Sequence, residues 1–152
     1  MSVEIMKAEI DDLPKILELQ YLAYQSEARL FNTTDIPPLK QTLEEVAEEY
    51  KKGCILKAVD ENHVIIGSVR AYQDNGTVYI GKLMVHPDYQ RHGIGSKLLS
   101  CIEHHYPNMR YELFTSTKST DNIRLYTKLG YKEFKVEQIN SELSFVYLEK
   151  SN

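Results

Sequence analysis

The run Asp74-Asn75-Gly76, set between two stretches rich in β-branched residues, constrains this chain more than any other feature. Asn-Gly suits the positive φ angles that a tight hairpin demands, so residues 63–73 and 77–85 are expected to run as antiparallel neighbours. Residues 54–60 form a third run of the same kind, joined to the next by Glu61-Asn62. Three consecutive strands therefore make a meander in the middle of the chain. His86-Pro87 ends it.

On both sides of the meander the period lengthens. Residues 2–8 alternate as a first strand, with Val3 and Ile5 on one face. Asp11 and Asp12 before Leu13-Pro14 mark a helix start. Leu13, Ile16, Leu17, Tyr21, Tyr24 and Ala28 then recur at helical spacing, which predicts one amphipathic helix over 12–29. Residues 31–40, with Pro37-Pro38, read as loop, because consecutive prolines cannot continue a helix. Thr42 and Glu45 form a capping box that opens a second helix, which runs to Lys52 and stops at Gly53.

Beyond the meander, residues 93–105 read as a helix with Ile94, Leu98, Leu99 and Ile102 inward. Residues 111–115 read as a strand, 121–129 as a helix closed by Gly130, and 131–138 with 143–149 as a final strand pair. The order is β-α-α-β-β-β-α-β-α-β-β, an α/β or α+β sandwich in one domain over residues 1–152.

Composition excludes several classes. With 18 basic and 22 acidic residues the chain is mildly acidic, unlike a nucleic-acid binder with a basic face. The apolar run Val64-Ile65-Ile66 falls far short of the ~20 residues of a membrane span, and residues 1–10 lack the apolar core of a signal peptide. Cys54 and Cys101 offer neither a CxxC pair nor a disulfide framework. A cytoplasmic protein is expected. The charge is unevenly spread: residues 9–49 hold ten acids against three bases, whereas residues 81–100 carry Lys82, Arg91 and Lys97 against Asp88 alone.

Chemistry concentrates in residues 82–100. There an apolar strand leads through a short polar loop into Gly93-x-Gly95 and an amphipathic helix. Glycines let backbone approach a ligand, and the first amides of a helix lack intrahelical partners, so such a segment can hold a phosphate or pyrophosphate. The dinucleotide fingerprint would need a third glycine after a first strand, and the P-loop would need Gly-Lys-Ser/Thr. Neither fits. Gln90-Arg91-x-Gly93-x-Gly95 between a strand and a helix remains, with a plain tight turn as the alternative.

The stretch LMVHPDYQRHGIGSKLL resembles the acyl-CoA-binding motif of the GNAT superfamily of N-acetyltransferases, and the element order resembles that fold along nearly the whole chain. Asn122 and Tyr126, followed by Gly130-Tyr131, resemble the second motif of that family. The resemblance implies a mixed, mostly antiparallel sheet with helices on both faces and acetyl-CoA as cosubstrate, with no metal. It implies that backbone amides of Arg91, His92, Gly93, Ile94, Gly95 and Ser96 hold the CoA pyrophosphate. Met84 and Val85 would pair with pantetheine, and the Val85 N–H would polarise the thioester carbonyl. Asn122 would bond the pantetheine arm and Tyr126 would protonate the departing thiolate. Asn122 and Tyr126 are also four apart, on one helix face. The alternatives are a helix-capping asparagine and a core aromatic.

In that family the first two helices and their connection shape the acceptor pocket. Here the region supplies Tyr21, Tyr24, Glu27, Arg29, Phe31 and residues 36–39, with Tyr21 and Tyr24 as substrate contacts and Glu27, acting through a water, as the base. The acceptor is expected to be a small-molecule or peptide amine, either a small cationic amine or an exposed amino group, drawn to the acidic segment. The competing reading packs both tyrosines on the sheet and leaves Glu27 solvated. A non-catalytic acyl-CoA-binding regulatory module is the alternative function. His86 reads as a turn residue with a base role as its alternative, Cys101 as a structural thiol, and residues 115–120 as a solvated loop and cap. The terminal hairpin over 131–149 offers a dimer edge.

Overall fold

The computed structural model describes residues 2–31 and 35–151. Its seven strands are β1 (Glu4–Lys7), β2 (Cys54–Val59), β3 (Ile65–Asp74), β4 (Thr77–Val85), β5 (Arg110–Ser116), β6 (Lys132–Gln138) and β7 (Ser144–Ser151). They form one sheet in the order β1-β2-β3-β4-β5-β7-β6, and every pairing is antiparallel except β4 with β5. The mixed, mostly antiparallel sheet matches the expectation.

The helices are α1 (Leu13–Ala23), α2 (Gln25–Leu30), α3 (Pro37–Lys40), α4 (Leu43–Lys52), α5 (Ile94–His105) and α6 (Thr120–Lys128). Helices α5 and α6 cover one sheet face, where Leu98, Leu99 and Ile102 pack on Leu56, Val69 and Ile80. Burying each such side chain stabilises the fold by about 1.5–3 kcal/mol. On the other face, Leu13, Ile16 and Leu17 of α1 and Val46 of α4 pack on Ile55 of β2. Thr42 caps α4 as expected, with the Glu45 amide donating to Thr42 Oγ1 at 3.2 Å and the Thr42 amide to Glu45 Oε1 at 2.9 Å.

Two local expectations are corrected. The helix over 12–29 is two helices, because Tyr24 takes φ −83° and ψ 1° and interrupts the α-helical ladder. No proline or glycine announces this break. Pro37-Pro38 open α3 instead of lying in a loop; a first-turn proline surrenders an amide that has no helical partner anyway, and the preceding Ile36 is extended as proline requires. Residues 32–34 of the expected loop lie outside the described residues.

Candidate active site

Strands β4 and β5 pair only over Thr77–Tyr79 and Arg110–Glu112. Beyond Tyr79 they part, although β4 continues to Val85 and β5 to Ser116. A bulge accompanies the divergence. Lys82 and Leu83 of β4 stand opposite Val69 alone, and Lys82 takes φ 51°, a left-handed conformation rare for a side-chain-bearing residue.

One edge of β4 is therefore open, and its hydrogen-bond polarity follows from the register. The His86 amide donates across to Ile66 O at 2.8 Å on the β3 side. Successive amides alternate in direction, so the Val85 N–H points away from β3, toward the gap. Met84 is buried beside Val85 and faces Ser68 in the register.

After β4 the chain turns into α5 through Arg91 at φ 67° and Gly93 at φ 78°. An added Cβ at Gly93 would meet nothing within 4 Å, so glycine serves the backbone conformation there and not packing. At Gly95 an added Cβ would touch Leu125 of α6 at 3.4 Å and Leu83 of β4 at 4.0 Å, which shows how closely α5 begins against both elements. Arg91, His92 and Gly93 are exposed and Gly95 and Ser96 half-buried. Ile94 buries its side chain, leaving only its backbone for a ligand. The first turn of α5 thus presents unpaired amides at the end of the open strand.

Helix α6 carries Asn122 and Tyr126. Asn122 Nδ2 donates to Thr115 Oγ1 of β5 at 3.3 Å, and the side chain does not cap its helix. Tyr126 is buried. Burial pushes its phenol above the ordinary range, and the neighbouring Glu27 carboxylate pushes it further the same way. Burial also raises Glu27 above the usual carboxylate range, partly offset by Ser119 Oγ, which donates to Glu27 Oε1 at 3.1 Å. The Tyr24 hydroxyl is raised by burial and then by Glu27, Tyr126 and, more weakly, Glu49, with Arg70 opposing. Tyr24, Glu27 and Tyr126 thus share one electrostatic environment. Tyr21 stands apart, donating to the Gln41 carbonyl and packing beside α4.

A cleft of about 330 Å³ opens where β4 and β5 diverge. Glu49, Arg70 and Lys82 line it together with Tyr72, Tyr79, Phe114 and Tyr147. Tyr24, Glu27 and Tyr126 do not line it, but Arg70 and Glu49 connect the two groups through Tyr24. Most of the acidic segment is solvated: Glu9, Asp11, Glu18, Asp35, Glu44, Glu45 and Glu48 are exposed, and Asp12 pairs with Lys57 at 2.7 Å.

A sequence model of the acetyltransferase (GNAT) family matches residues 13–131. The chain belongs to the GNAT family. The protein YqkA of Bacillus subtilis is 28% identical over 120 residues, 78% of this chain and 34% of that one, so this GNAT chain spans about a third of that curated relative's length. The ribosomal-protein-S18-alanine N-acetyltransferase of Escherichia coli shares the fold at TM-score 0.80 and 16% identity, over 99% of this chain and 94% of that one. The PaiA N-acetyltransferase of Thermoplasma acidophilum, solved in complex with coenzyme A, matches at TM-score 0.80 and 20% identity over 100% of both chains.

Three groups in this GNAT chain lay outside the sequence expectations. Ser119, expected in a solvated loop, is buried and holds Glu27. Arg70 lies 4% exposed in β3, bonded by Gln20, Gln41 and Glu49, and only the apolar stripe interrupted by Gln20 hinted at it. Lys82 owes its place to the bulge, for which the isolated Gly81 inside the strand is the local sequence signal. The two bland expectations fare differently. His86 is a turn residue, its Nδ1 accepting from the Asp88 amide at 3.1 Å. Cys101 is half-buried against the core.

Proposed function

We propose that this protein is an acetyl-CoA-dependent N-acetyltransferase that acetylates a primary amine within a ternary complex. The observation that carries the reading is the open edge of β4, which ends in a free Val85 N–H and runs directly into the glycine turn and unpaired amides of α5. An extended pantetheine arm fits such an edge as an added strand, and a pyrophosphate fits the amides of residues 91–96.

Under this reading each residue has one task. The Val85 N–H donates to the thioester carbonyl oxygen and to the oxyanion that develops from it; a preorganised donor of this kind contributes about 3 kcal/mol to the transition state. Met84 helps present that strand. Asn122 bonds the pantetheine arm, for which its amide exchanges the long Thr115 contact. Glu27, through a water, takes the proton that an ammonium of pKa ~10 must lose before attack. Tyr24 lines the approach of the amine. Tyr21 supports the wall through Gln41 instead of touching the substrate.

The bonds balance directly. The ammonium gives its first proton through a water to Glu27 and on to solvent. The neutral amine then forms the C–N bond as the C–S bond breaks, the thiolate takes the Tyr126 proton, and the second amine proton restores the Tyr126 phenol. A buried phenol stays protonated at neutral pH, so the proton is in place when the thiolate departs; its transfer to a thiolate whose conjugate acid has pKa ~8.5 is uphill and is completed as the amine proton restores the phenol. Neither a covalent enzyme intermediate nor a metal is required. The reading includes a cytoplasmic protein without nucleic-acid or membrane partners, and a free β6 edge offered to a second copy.

Thiol release from acetyl-CoA across a panel of primary amines tests this. Turnover on at least one amine is expected. Tight CoA binding without turnover on any amine would point to a regulatory acyl-CoA-binding module. No CoA binding at millimolar ligand would overturn both.

A further inference from the structure

The charges that line the cleft differ from those of the segment around it. Arg70 presents Nη1 to Glu49 Oε2 at 3.2 Å and to Gln41 Oε1 at 3.0 Å, and Nη2 to Gln20 Oε1 at 2.7 Å. Its charge therefore has a local counter-ion in Glu49. Glu112 on the opposite wall is matched by Arg110 at 2.8 Å. Lys52 sits over the Tyr72 ring at 4.0 Å. Among the described residues, Lys82 is the one cleft cation that makes neither a hydrogen bond, nor an ion pair, nor a ring contact.

An ammonium in such a place is costly, and the bulge adds to the cost. Lys82 holds a left-handed backbone, a strained conformation for a residue with a side chain. Burial disfavours its charged form; Glu49 and, more weakly, Glu45 favour that form and Arg70 opposes it. An arriving anion would relieve both the desolvation and the repulsion from Arg70. The rest of the wall is aromatic and aliphatic, with Ile80 and Leu113 among the rings. Tyr72 and Tyr79 stack at 5.3 Å between centroids, and Phe114 and Tyr147 stand at 5.3 Å.

We infer that the acceptor is an amino-acid-like zwitterion, an amine that also bears an anionic oxygen group and an aromatic or large apolar body, with Lys82 taking the anion and the tyrosine and phenylalanine wall the body. The inference rests on the acetyltransferase reading only for the fate of the amine. The acidic segment over 9–49 does not oppose it, because Glu45 and Glu49 act on Lys82 and favour its charged form, while six of the other acids are exposed and act through screened solvent. The anion could be a carboxylate or a phosphonate, since the same ammonium serves either.

The test compares phenylalanine, its phosphonate analogue, phenylalaninamide and phenethylamine. Binding is measured by calorimetry with CoA present, and turnover separately with acetyl-CoA. The wild type should bind and acetylate the carboxylate or the phosphonate at least tenfold better than the two comparators that lack an anionic group, and the stronger of the two identifies the anion. Lys82→Met should lose that preference, raising KM for the zwitterion at least tenfold while leaving phenethylamine and CoA affinity within twofold. Equal or better binding of phenethylamine by the wild type would overturn the inference. So would a Lys82→Met variant that weakens CoA as much as the acceptor, because the anion would then belong to the donor. Lys82-dependent binding without turnover would sink the acetyltransferase reading and leave the acceptor class standing.

Discussion

Ser119 Oγ donates to Glu27 Oε1 at 3.1 Å across 92 positions of sequence, tying α2 to the start of the helix that carries Tyr126. The contact orients a carboxylate whose burial raises its pKa. A base must be ionised to act, so kcat/KM should rise with pH through that raised pKa. Glu27→Gln keeps an oxygen for Ser119 and removes the base. It should lower kcat by about 10²- to 10⁴-fold and abolish the acidic limb of the pH profile. Stability moves the opposite way. A carboxyl whose folded pKa is raised favours the fold below its unfolded pKa of ~4.3 and loses that contribution as pH rises through the folded value. The variant should therefore gain thermal stability on the wild type between pH 4 and pH 7. An unchanged pH–rate profile would remove Glu27 from the base role.

Tyr126 sits in the same environment with its phenol raised by burial and by Glu27. Its proton remains in place across the neutral range, so no basic limb from Tyr126 is expected below pH 9. Tyr126→Phe should lower kcat by roughly 10- to 1000-fold with acetyl-CoA affinity within twofold. A loss of affinity as large as the loss of kcat would make Tyr126 a packing residue.

These two residues show what was legible and what was not. Tyr126, Asn122 and Gly93 are legible because each belongs to a short pattern, and the meander and helix α4 are legible because Asn75-Gly76 and the Thr42–Glu45 box act within a few residues. Glu27 was found as a residue and its partner was missed, since nothing local links position 27 to position 119. Arg70 and its partners are 21, 29 and 50 positions apart, a separation that only tertiary packing closes. The break at Tyr24 also carries no proline or glycine signature, whereas the bulge at Lys82 has Gly81 beside it. Local rules gave the frame. The acceptor side of the site depends on long-range contacts.

Gly93 offers a clean probe of the α5 turn. Open space around its missing Cβ means that a substituent meets no protein atom, whereas φ 78° penalises any L side chain. Gly93→Ala should destabilise the fold by about 1–2 kcal/mol and weaken CoA modestly. Gly93→Glu carries the same backbone cost and adds a carboxylate where the pyrophosphate is proposed to bind. Its CoA affinity should fall at least tenfold below that of Gly93→Ala, measured by calorimetry. Equal affinities in the two variants would refute the placement of the pyrophosphate.

Arg70 links the cleft to the stability of the fold. Its side chain is 5% exposed, and its two terminal nitrogens reach α1 through Gln20, α4 through Glu49 and the intervening segment through Gln41. Gln20 Nε2 in turn donates to Pro38 O at 2.8 Å and to Gln41 Oε1 at 2.9 Å, so one guanidinium organises the whole first helical layer. Removing it leaves the fully buried Gln20 oxygen without a donor, while Glu49, a third exposed, can turn toward water. The cost should therefore come chiefly from Gln20 and the severed network, not from the ion pair. Arg70→Met should destabilise by about 3–5 kcal/mol, lowering Tm by roughly 6–20 °C. Arg70→Lys should recover little, because one ammonium cannot reproduce a planar fork directed at three acceptors. The double variant Arg70→Met/Gln20→Leu should regain at least a third of the loss by removing the stranded amide. CoA affinity at 25 °C should stay within threefold in every variant that remains folded, since the α5 turn lies outside this network. A Tm change below 2 °C for Arg70→Met would show that water replaces the guanidinium at no cost.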